Sequence, residues 1–101
     1  MWIFAMFDLP VNDAKARKRY SQFRKLLLSE GFSMLQFSVY ARYCDGEEMA
    51  TAFRNRVRSG IPPEGQVRIL AITDRQFGKM ENYIGKSRKS VEKPPSQLVF
   101  F

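Results

Sequence analysis

Most of the side chains that could do chemistry in this sequence are basic. The chain has seventeen Lys and Arg and ten Asp and Glu, which gives a net charge of +7. The whole excess of positive charge lies in two segments. Asp13–Glu30 has six basic and two acidic residues, and Lys86–Lys93 has four basic and one acidic. Clustered positive charge favours a polyanionic partner, nucleic acid before a membrane surface. The alternative is a solvated surface that keeps the protein soluble.

Five basic residues are the candidates for phosphate contact. Each lies off the apolar side of a predicted helix or at the end of a predicted strand: Arg17, Lys18, Arg24, Lys25 and Arg42. Arg can bind a phosphate through two parallel hydrogen bonds, whereas Lys acts as a point charge. Such contacts suit the nucleic-acid backbone better than base reading. For any one of them, ordinary solvated charge is the alternative.

Histidine is absent, and the one cysteine is Cys44. The lack of histidine excludes Ser-His-Asp and Cys-His catalysis, histidine acid–base chemistry and the usual zinc sites. A single cysteine excludes an internal disulfide and fits a reducing cytoplasm. Metal-assisted hydrolysis is therefore the phosphodiesterase chemistry that this composition permits. No run of about 18 apolar residues suggests a membrane span.

Asp8 is a carboxylate in an unusual place, because it follows seven apolar residues and precedes Leu9-Pro10. The residue type and position alone favour a turn-starting Asp whose side chain accepts a backbone hydrogen bond. If Asp8 lay near a two-fold axis, two such carboxylates would face each other. They would repel unless a cation lay between them.

The hydrophobic pattern predicts the elements that position these side chains. The run Met1–Phe7 is short, aromatic-rich and bounded by Pro, as in a strand buried on both faces. A helix begins at Asn12 or Asp13 and runs to about Glu30, with Gly31 as its terminator. Its apolar stripe recurs at helical spacing and comprises Ala16, Tyr20, Phe23 and Leu27. Alternation over Phe32–Tyr43 predicts two short strands with a bend near Gln36.

The second half of the chain adds a helix, a strand and further C-terminal segments. Asp45 and Glu48 form a capping-box variant that opens a second helix, which Gly60 ends. The segments that follow are a central strand, a further strand or irregular edge, a flexible link and a short C-terminal strand: Gln66–Thr73, Gln76–Ile84, Gly85–Ser96 and Gln97–Phe101. The order predicts an α+β, ferredoxin-like βαββαβ fold, with a domain over 1–84 and a basic linker and C-terminal strand over 85–101.

Apolar surface remains after this fold is built. Two helices cover one face of a sheet, yet the first strand is apolar on both faces. The C-terminal segment adds four more apolar residues in a row, Leu98, Val99, Phe100 and Phe101. A second copy of the chain, related by a two-fold axis and packed sheet on sheet, would cover this surplus. Cover by loops and the tail of the same chain is the alternative.

Four blocks of the sequence resemble one known family. They are FDLP (Phe7–Pro10), KARKRYSQFRKLLLSEGF (Lys15–Phe32), MLQFSVYAR (Met34–Arg42) and VRILAITDRQF (Val67–Phe77). In order and at this length they resemble the small CRISPR-associated protein that is the second member of the spacer-acquisition pair. The sequence is most similar to members from systems with a single large effector nuclease.

The resemblance implies a ferredoxin-like homodimer that works in the insertion of foreign DNA into a CRISPR array. By this resemblance, the dimer lies at the centre of the complex between two dimers of the CRISPR integrase, and it binds double-stranded DNA. The resemblance also implies a metal-dependent endonuclease acting on RNA or DNA, with Mg²⁺ or Mn²⁺ as cofactor. The aspartate that ends the first strand is the catalytic metal ligand in that family, and Asp8 occupies this position.

Two further functions fit the same sequence. One is a purely structural, non-catalytic scaffold that holds duplex DNA. The other is an RNA-binding ferredoxin-like module in which Phe37, Tyr40 and Tyr43 stack on bases. The basic-glycine start of the RNA-recognition consensus is missing from FSVYARY, and Phe37 and Tyr43 share a face with Leu35 that we interpret as core.

Overall fold

The computed structural model describes residues 1–94. Its elements, in chain order, are β1 (Trp2–Asp8), α1 (Ala14–Ser29), β2 (Ser33–Gln36), β3 (Val39–Tyr43), α2 (Glu47–Ser59), β4 (Gln66–Ile72), α3 (Asp74–Gly78), β5 (Asn82–Ile84) and β6 (Ser87–Lys89). The first four strands form one sheet in the order β2-β3-β1-β4, and every neighbouring pair is antiparallel. The ferredoxin-like βαββαβ prediction is confirmed.

The first helix is delimited as its sequence predicts. The Asp13 side chain accepts a 2.8 Å hydrogen bond from the Ala16 N–H, which satisfies one of the free donors of the first turn. Glu30 is the C-cap, and Gly31 follows with a φ of +85°, a backbone conformation that favours glycine. The predicted bend is also present, because β2 and β3 are separate strands joined by a turn through Phe37 and Ser38.

Helices α1 and α2 pack on one face of the sheet and form the helix-side core. Strand β1 contributes Ile3, Ala5 and Phe7, and β3 contributes Tyr40. The helices contribute the buried residues Phe23, Leu27, Ala50, Phe53 and Val57. Since successive side chains of a strand point to opposite faces, the intervening residues of β1 belong to the other side of the sheet.

That other side, here called the open face, is only partly covered. It comprises Trp2, Phe4, Met6 and Asp8 of β1 with the residues that pair with them on β3 and β4. Phe77 of α3 stacks on Trp2, with ring centroids 4.0 Å apart and an angle of 10° between the planes. Phe4 and Phe77 are buried there, but Leu70 on β4 is 48% exposed. One end of the open face therefore has a cover and the other does not.

Several predictions about local structure were wrong. Gly46, not Asp45, is the N-cap of α2, and no side chain caps this helix. Gln76–Ile84 is not one strand, because α3 occupies its first residues and β5 its last. Phe37 is 81% exposed and not core, since the β2–β3 turn takes it out of the alternating pattern.

The predicted flexible link over 85–96 contains a strand. Residues Asn82–Ile84 and Ser87–Lys89 pair as an antiparallel hairpin, with Gly85 at a φ of +63° in its turn. The hairpin spans residue 84, where the sequence pattern divides the chain, and that division stays a prediction. The strand expected over Gln97–Phe101 lies outside the described residues.

Candidate functional site

Asp8 is the last residue of β1 and lies on the open face. It is exposed and pairs across the strands with Gln66 of β4. A shallow depression of about 220 Å³ surrounds it, lined also by Met6, Phe7 and Arg68. The carboxylate is therefore presented to solvent at the uncovered end of the open face.

The loop before β4 fixes the backbone around Asp8. Gly65 has a φ of +89° and lies against the backbone of Asp8 and the side chain of Leu9. Leu9 itself is 8% exposed and belongs to the helix-side core. On the opposite side of the strand end, the Phe7 N–H donates a 3.1 Å hydrogen bond to the Ser38 carbonyl oxygen. The position of Asp8 is thus set from both neighbouring strands.

Arg68 is a site residue that sequence reasoning missed. It pairs with Met6 across β1 and β4, is exposed, and lies two residues along the strand from Gln66 on the same face. It places a positive charge beside the Asp8 carboxylate without an ion pair within 4.0 Å in the described part of the chain. The signal was present in the sequence, because Arg68 is the charged residue of β4 and lies between the apolar Val67 and Ile69.

One protomer does not by itself make a metal site. Among residues 1–94 there is no group of three or more His, Cys, Asp or Glu side chains that could hold an ion. The hard oxygen donors near the depression are the Asp8 carboxylate and the Gln66 amide, which suit Mg²⁺ or Mn²⁺ in type but not in number. The donor set fits such an ion only if a second Asp8 faces the first.

The predicted phosphate contacts on α1 form a surface of their own, here called the α1 stripe. Arg17, Lys18, Arg24 and Lys25 are all exposed. Residues seven apart lie nearly above one another on a helix, so Arg17 aligns with Arg24 and Lys18 with Lys25. The row of Lys18 and Lys25 lies opposite the buried Ala16, Phe23 and Leu27, and the row of Arg17 and Arg24 lies on the flank of the helix, about 100° away from it.

The structure does not bring the α1 stripe and Asp8 together. Helix α1 covers the sheet face that carries Phe7, whereas Asp8 is on the open face. Within one protomer the sheet and the helix layer therefore separate the two sets of residues. A ligand that contacts both must contact two different sides of the molecule.

Arg42 makes contacts inside the protomer. Its Nε donates a 2.8 Å hydrogen bond to the Glu30 carbonyl oxygen, and its Nη1 donates one of 2.6 Å to the Tyr43 carbonyl oxygen. Its guanidinium carbon is 3.8 Å from the centroid of the Phe53 ring. These contacts tie the end of α1 to α2 through β3. Arg42 is therefore not among the phosphate-binding residues that we propose.

The three aromatic residues considered for base stacking do not form a platform. Tyr40 is 1% exposed in the helix-side core, where its ring stacks on Phe7. Tyr43 is half-buried and packs edge-on against Trp2, with ring centroids 5.6 Å apart. Phe37 alone is exposed, and it lies on a turn. This arrangement counts against a stacking surface on the sheet.

Comparison with known proteins identifies a family. The family model described as "CRISPR associated protein Cas2" matches residues 1–80. A Parvibaculum lavamentivorans protein named "CRISPR-associated endoribonuclease Cas2" is 50% identical over 101 residues and is covered completely, as is this chain. A Flavobacterium psychrophilum protein of the same name is 46% identical over 101 residues, covering all of this chain and 88% of that protein.

A solved structure shows the same fold. The crystal structure of Streptococcus pyogenes Cas2 at pH 6.5 superposes with a TM-score of 0.62 and 18% sequence identity. The match covers 82% of this chain and 99% of that chain.

Proposed function

Because this chain belongs to the CRISPR associated protein Cas2 family, we propose that it acts as a homodimer that holds duplex DNA in CRISPR spacer acquisition and can cleave phosphodiester bonds with a divalent metal ion. Its partner in that process is the CRISPR integrase. This dimer lies at the centre of the complex, between two integrase dimers. The names of the relatives support a phosphodiesterase activity on RNA.

The open face is the observation that carries the proposal. On the open face Leu70 is 48% exposed, and Met6 and Val39 are half-buried. This apolar surface continues from a buried cluster around Trp2, so it is an extension of a core and not a scatter of single residues. A second copy packed through the same face covers it, and a two-fold axis there brings the two Asp8 carboxylates towards each other.

Paired Asp8 carboxylates supply what one protomer lacks for a metal site. Two facing carboxylates repel, and a Mg²⁺ or Mn²⁺ ion between them removes that repulsion. The chemistry that such an ion supplies is charge neutralisation at a phosphate and activation of a water molecule for attack on phosphorus. Asp8 would hold the ion, and Arg68 beside it would add positive charge for the phosphate of the substrate.

The α1 stripe supports duplex binding. Its four exposed basic side chains lie in two rows on one side of a 16-residue helix. At about 1.5 Å per residue the helix is roughly 24 Å long, which is enough to follow several successive phosphates. In a dimer formed through the open face, the two stripes lie on the two outer sides.

A non-catalytic scaffold is the second candidate function. It is favoured by the finding that residues 1–94 contain no ready-made cluster of three ligands. Duplex binding through the α1 stripe and dimerisation through the open face do not need an ion.

No helix within the described residues is long and apolar enough to cross a membrane.

Asp8→Asn separates the two functions, because the amide keeps the shape of the side chain and removes its charge. We expect the wild-type protein to cleave duplex DNA or RNA in Mg²⁺ or Mn²⁺ and to lose this activity with a chelator. Asp8→Asn should abolish cleavage and leave the dimer and duplex binding unchanged. Asp45→Asn, at another exposed carboxylate, is the matched control and should cleave like the wild type.

The other outcomes are equally informative. Cleavage by Asp8→Asn at the wild-type rate would show that the metal assignment is wrong. Loss of the dimer in sedimentation would make Asp8 a structural residue. A wild-type dimer that binds duplex DNA, is captured with the integrase and never cleaves would establish the scaffold.

A further inference from the structure

The uncovered end of the open face is polar, and the proposed function leaves one of its side chains without a role. The residues of β4 that pair with β1 on this face are Gln66, Arg68, Leu70 and Ile72. Along both strands this face changes from apolar, beside Trp2, to polar, beside Asp8. Asp8 and Arg68 belong to the proposed site for the metal ion and the phosphate, whereas Gln66 has no part in it yet.

Dimerisation through the open face, as proposed above, encloses this polar end between two sheets. An amide that loses water on enclosure needs a hydrogen bond or an ion in its place. Gln66 is exposed in one protomer and lines the depression of about 220 Å³ together with Asp8 and Arg68. The group that satisfies the Gln66 amide in the dimer therefore lies in this depression or belongs to the second copy of the chain.

The register of the sheet fixes Gln66 beside Asp8. The two residues pair directly across β1 and β4, and residues that pair in this way have Cβ atoms about 4.5–5.5 Å apart on the same face. A slip by one residue would turn the Gln66 side chain to the other face of the sheet. Gly65, which precedes Gln66, opposes such a slip because it lies against the Asp8 backbone with a φ of +89°. Both oxygen-bearing side chains are thus held within reach of one ion.

Charge explains why an amide suits this position better than a further carboxylate. The two Asp8 carboxylates of a dimer already balance the charge of one divalent ion. The carbonyl oxygen of a Gln side chain is a hard donor that completes a coordination shell without adding negative charge. An anionic phosphate then approaches a site that does not repel it, and the positive charge of Arg68 attracts it.

We propose that Gln66 is a ligand of the divalent ion that Asp8 binds, with its side-chain carbonyl oxygen as the donor. Asp8 and Gln66, together with Asp8 of the partner subunit and Gln66 of the partner subunit, provide four oxygen donors. Since Mg²⁺ demands octahedral coordination, two positions remain for a water molecule and a phosphate oxygen of the substrate. This inference rests on the proposed function, because it needs both the dimer and the ion.

Direct binding of Mn²⁺ tests this ligand without a cleavage assay. Electron paramagnetic resonance measures free Mn²⁺ in a titration of the purified protein, with no nucleic acid present and with Mg²⁺ as the competitor. Gln66→Ala removes the donor oxygen, and Gln66→Glu keeps an oxygen there and adds a negative charge. Gln22→Ala and Gln22→Glu are the matched controls, because Gln22 is exposed on α1, on the other side of the sheet. Sedimentation and melting curves check that each variant is a folded dimer.

The two Gln66 variants should shift the affinity for Mn²⁺ in opposite directions. Gln66→Ala should weaken the binding by about 10-fold or more, as is usual when a partner in a metal site is removed. Gln66→Glu should bind Mn²⁺ more tightly than the wild type, because a carboxylate attracts a cation more strongly than an amide does. Both Gln22 variants should stay within about 2-fold of the wild type, since solvent and salt screen an exposed charge on the other side of the sheet.

Asp8→Asn separates a failure of this inference from a failure of the proposed function. Equal binding of Mn²⁺ by the wild type and Asp8→Asn overturns the proposed metal site, and the Gln66 ligand with it. Binding that is lost in Asp8→Asn but unchanged in Gln66→Ala overturns the Gln66 ligand alone. Weaker binding by Gln66→Glu also overturns it, because Gln66 then acts on the ion only through the fold. If Gln66→Ala does not form a folded dimer, the direction of the shift in Gln66→Glu decides.

Discussion

Gly65 and Asp8 are in such close backbone contact that a Cβ on Gly65 would lie 2.6 Å from the Asp8 carbonyl oxygen. The same Cβ would lie 2.8 Å from Leu9 Cδ2. Both distances are shorter than a side chain tolerates, and the φ of +89° at Gly65 adds strain for any other residue. Glycine at position 65 is therefore a condition for placing Asp8 where it is.

Gly65→Ala should lower the free energy of unfolding by about 2 kcal/mol or more, through the left-handed backbone and the displaced strand end. Urea unfolding measures this decrease. Gly78→Ala is the control, because a Cβ there meets nothing within 4 Å and the residue lies in α3. It should leave stability unchanged or raise it slightly. Equal stability of the two variants would show that the loop can move away from Asp8.

Arg42→Ala should lower the free energy of unfolding by about 2 kcal/mol, since two carbonyl oxygens lose a charged donor and Phe53 loses its stacked guanidinium. Arg58→Ala is the control, because within residues 1–94 the Arg58 side chain hydrogen-bonds only to Asn55 on its own helix. It should change stability by less than about 0.5 kcal/mol. Reduced duplex binding by Arg42→Ala at unchanged stability would return Arg42 to the phosphate-binding residues.

Replacing all four residues of the α1 stripe by Gln should weaken binding to every duplex sequence alike, because phosphates carry no sequence information. The salt-dependence slope should become shallower by about 3 to 4, at ~0.9 for each phosphate left without its basic partner. The variant Arg17→Lys/Lys18→Arg/Arg24→Lys/Lys25→Arg keeps the charges and should keep the slope. If the Gln variant also keeps it, the duplex lies on another surface.

Deleting residues 97–101 tests the dimer residues Leu98, Val99, Phe100 and Phe101, which lie outside the described part of the chain. Their apolar side chains could contribute roughly 6–10 kcal/mol before about 5–10 kcal/mol of backbone ordering cost. The net gain is small for one tail, but a dimer has two. We expect a weaker dimer in sedimentation across a dilution series. An equally tight dimer with a lower melting temperature would mean that the tail packs on its own chain.

The buried thiol of Cys44 makes the free energy of unfolding depend on pH in the alkaline range. Burial raises the pKa of its thiol above the ordinary value of 9.0, while Arg42 opposes the shift. Above pH 9 the unfolded chain therefore loses the thiol proton before the folded protein does, and the free energy of unfolding falls as pH rises. Cys44→Ala removes this contribution, so the difference in stability between wild type and variant should shrink above pH 9. A constant difference would refute the shift.

The regular elements were predictable because each rests on local signals. Asp13 and Gly31 delimit α1 by themselves, and the two-face burial of β1 follows from its unbroken apolar run. Helix α3 was missed although Thr73 and Gln76 form a capping box, because a five-residue helix has little periodicity to detect. The hairpin was missed because its residues are polar and its anchors, Met80 and Val91, lie outside it.

The candidate site was predictable only in part. A strand-end Asp is visible in the sequence, but its neighbours Gln66 and Arg68 come from a strand almost sixty residues away and depend on the register of β1 with β4. Arg42 shows the converse limit, since its contacts with Glu30 and Phe53 exist only once two helices have packed. Whether a side chain is free for a ligand is a property of the packed molecule.

The placement of the α1 stripe and Asp8 on opposite sides of the sheet has a consequence for how this molecule can change over time. Under the proposed function, a straight duplex resting on the stripe would have a helix and a sheet between it and the carboxylate of the same protomer, so that holding DNA would not expose it to cleavage. Storage and cleavage would then be separable traits. A lineage could lose either one by substitutions on one side of the sheet while the other trait persisted.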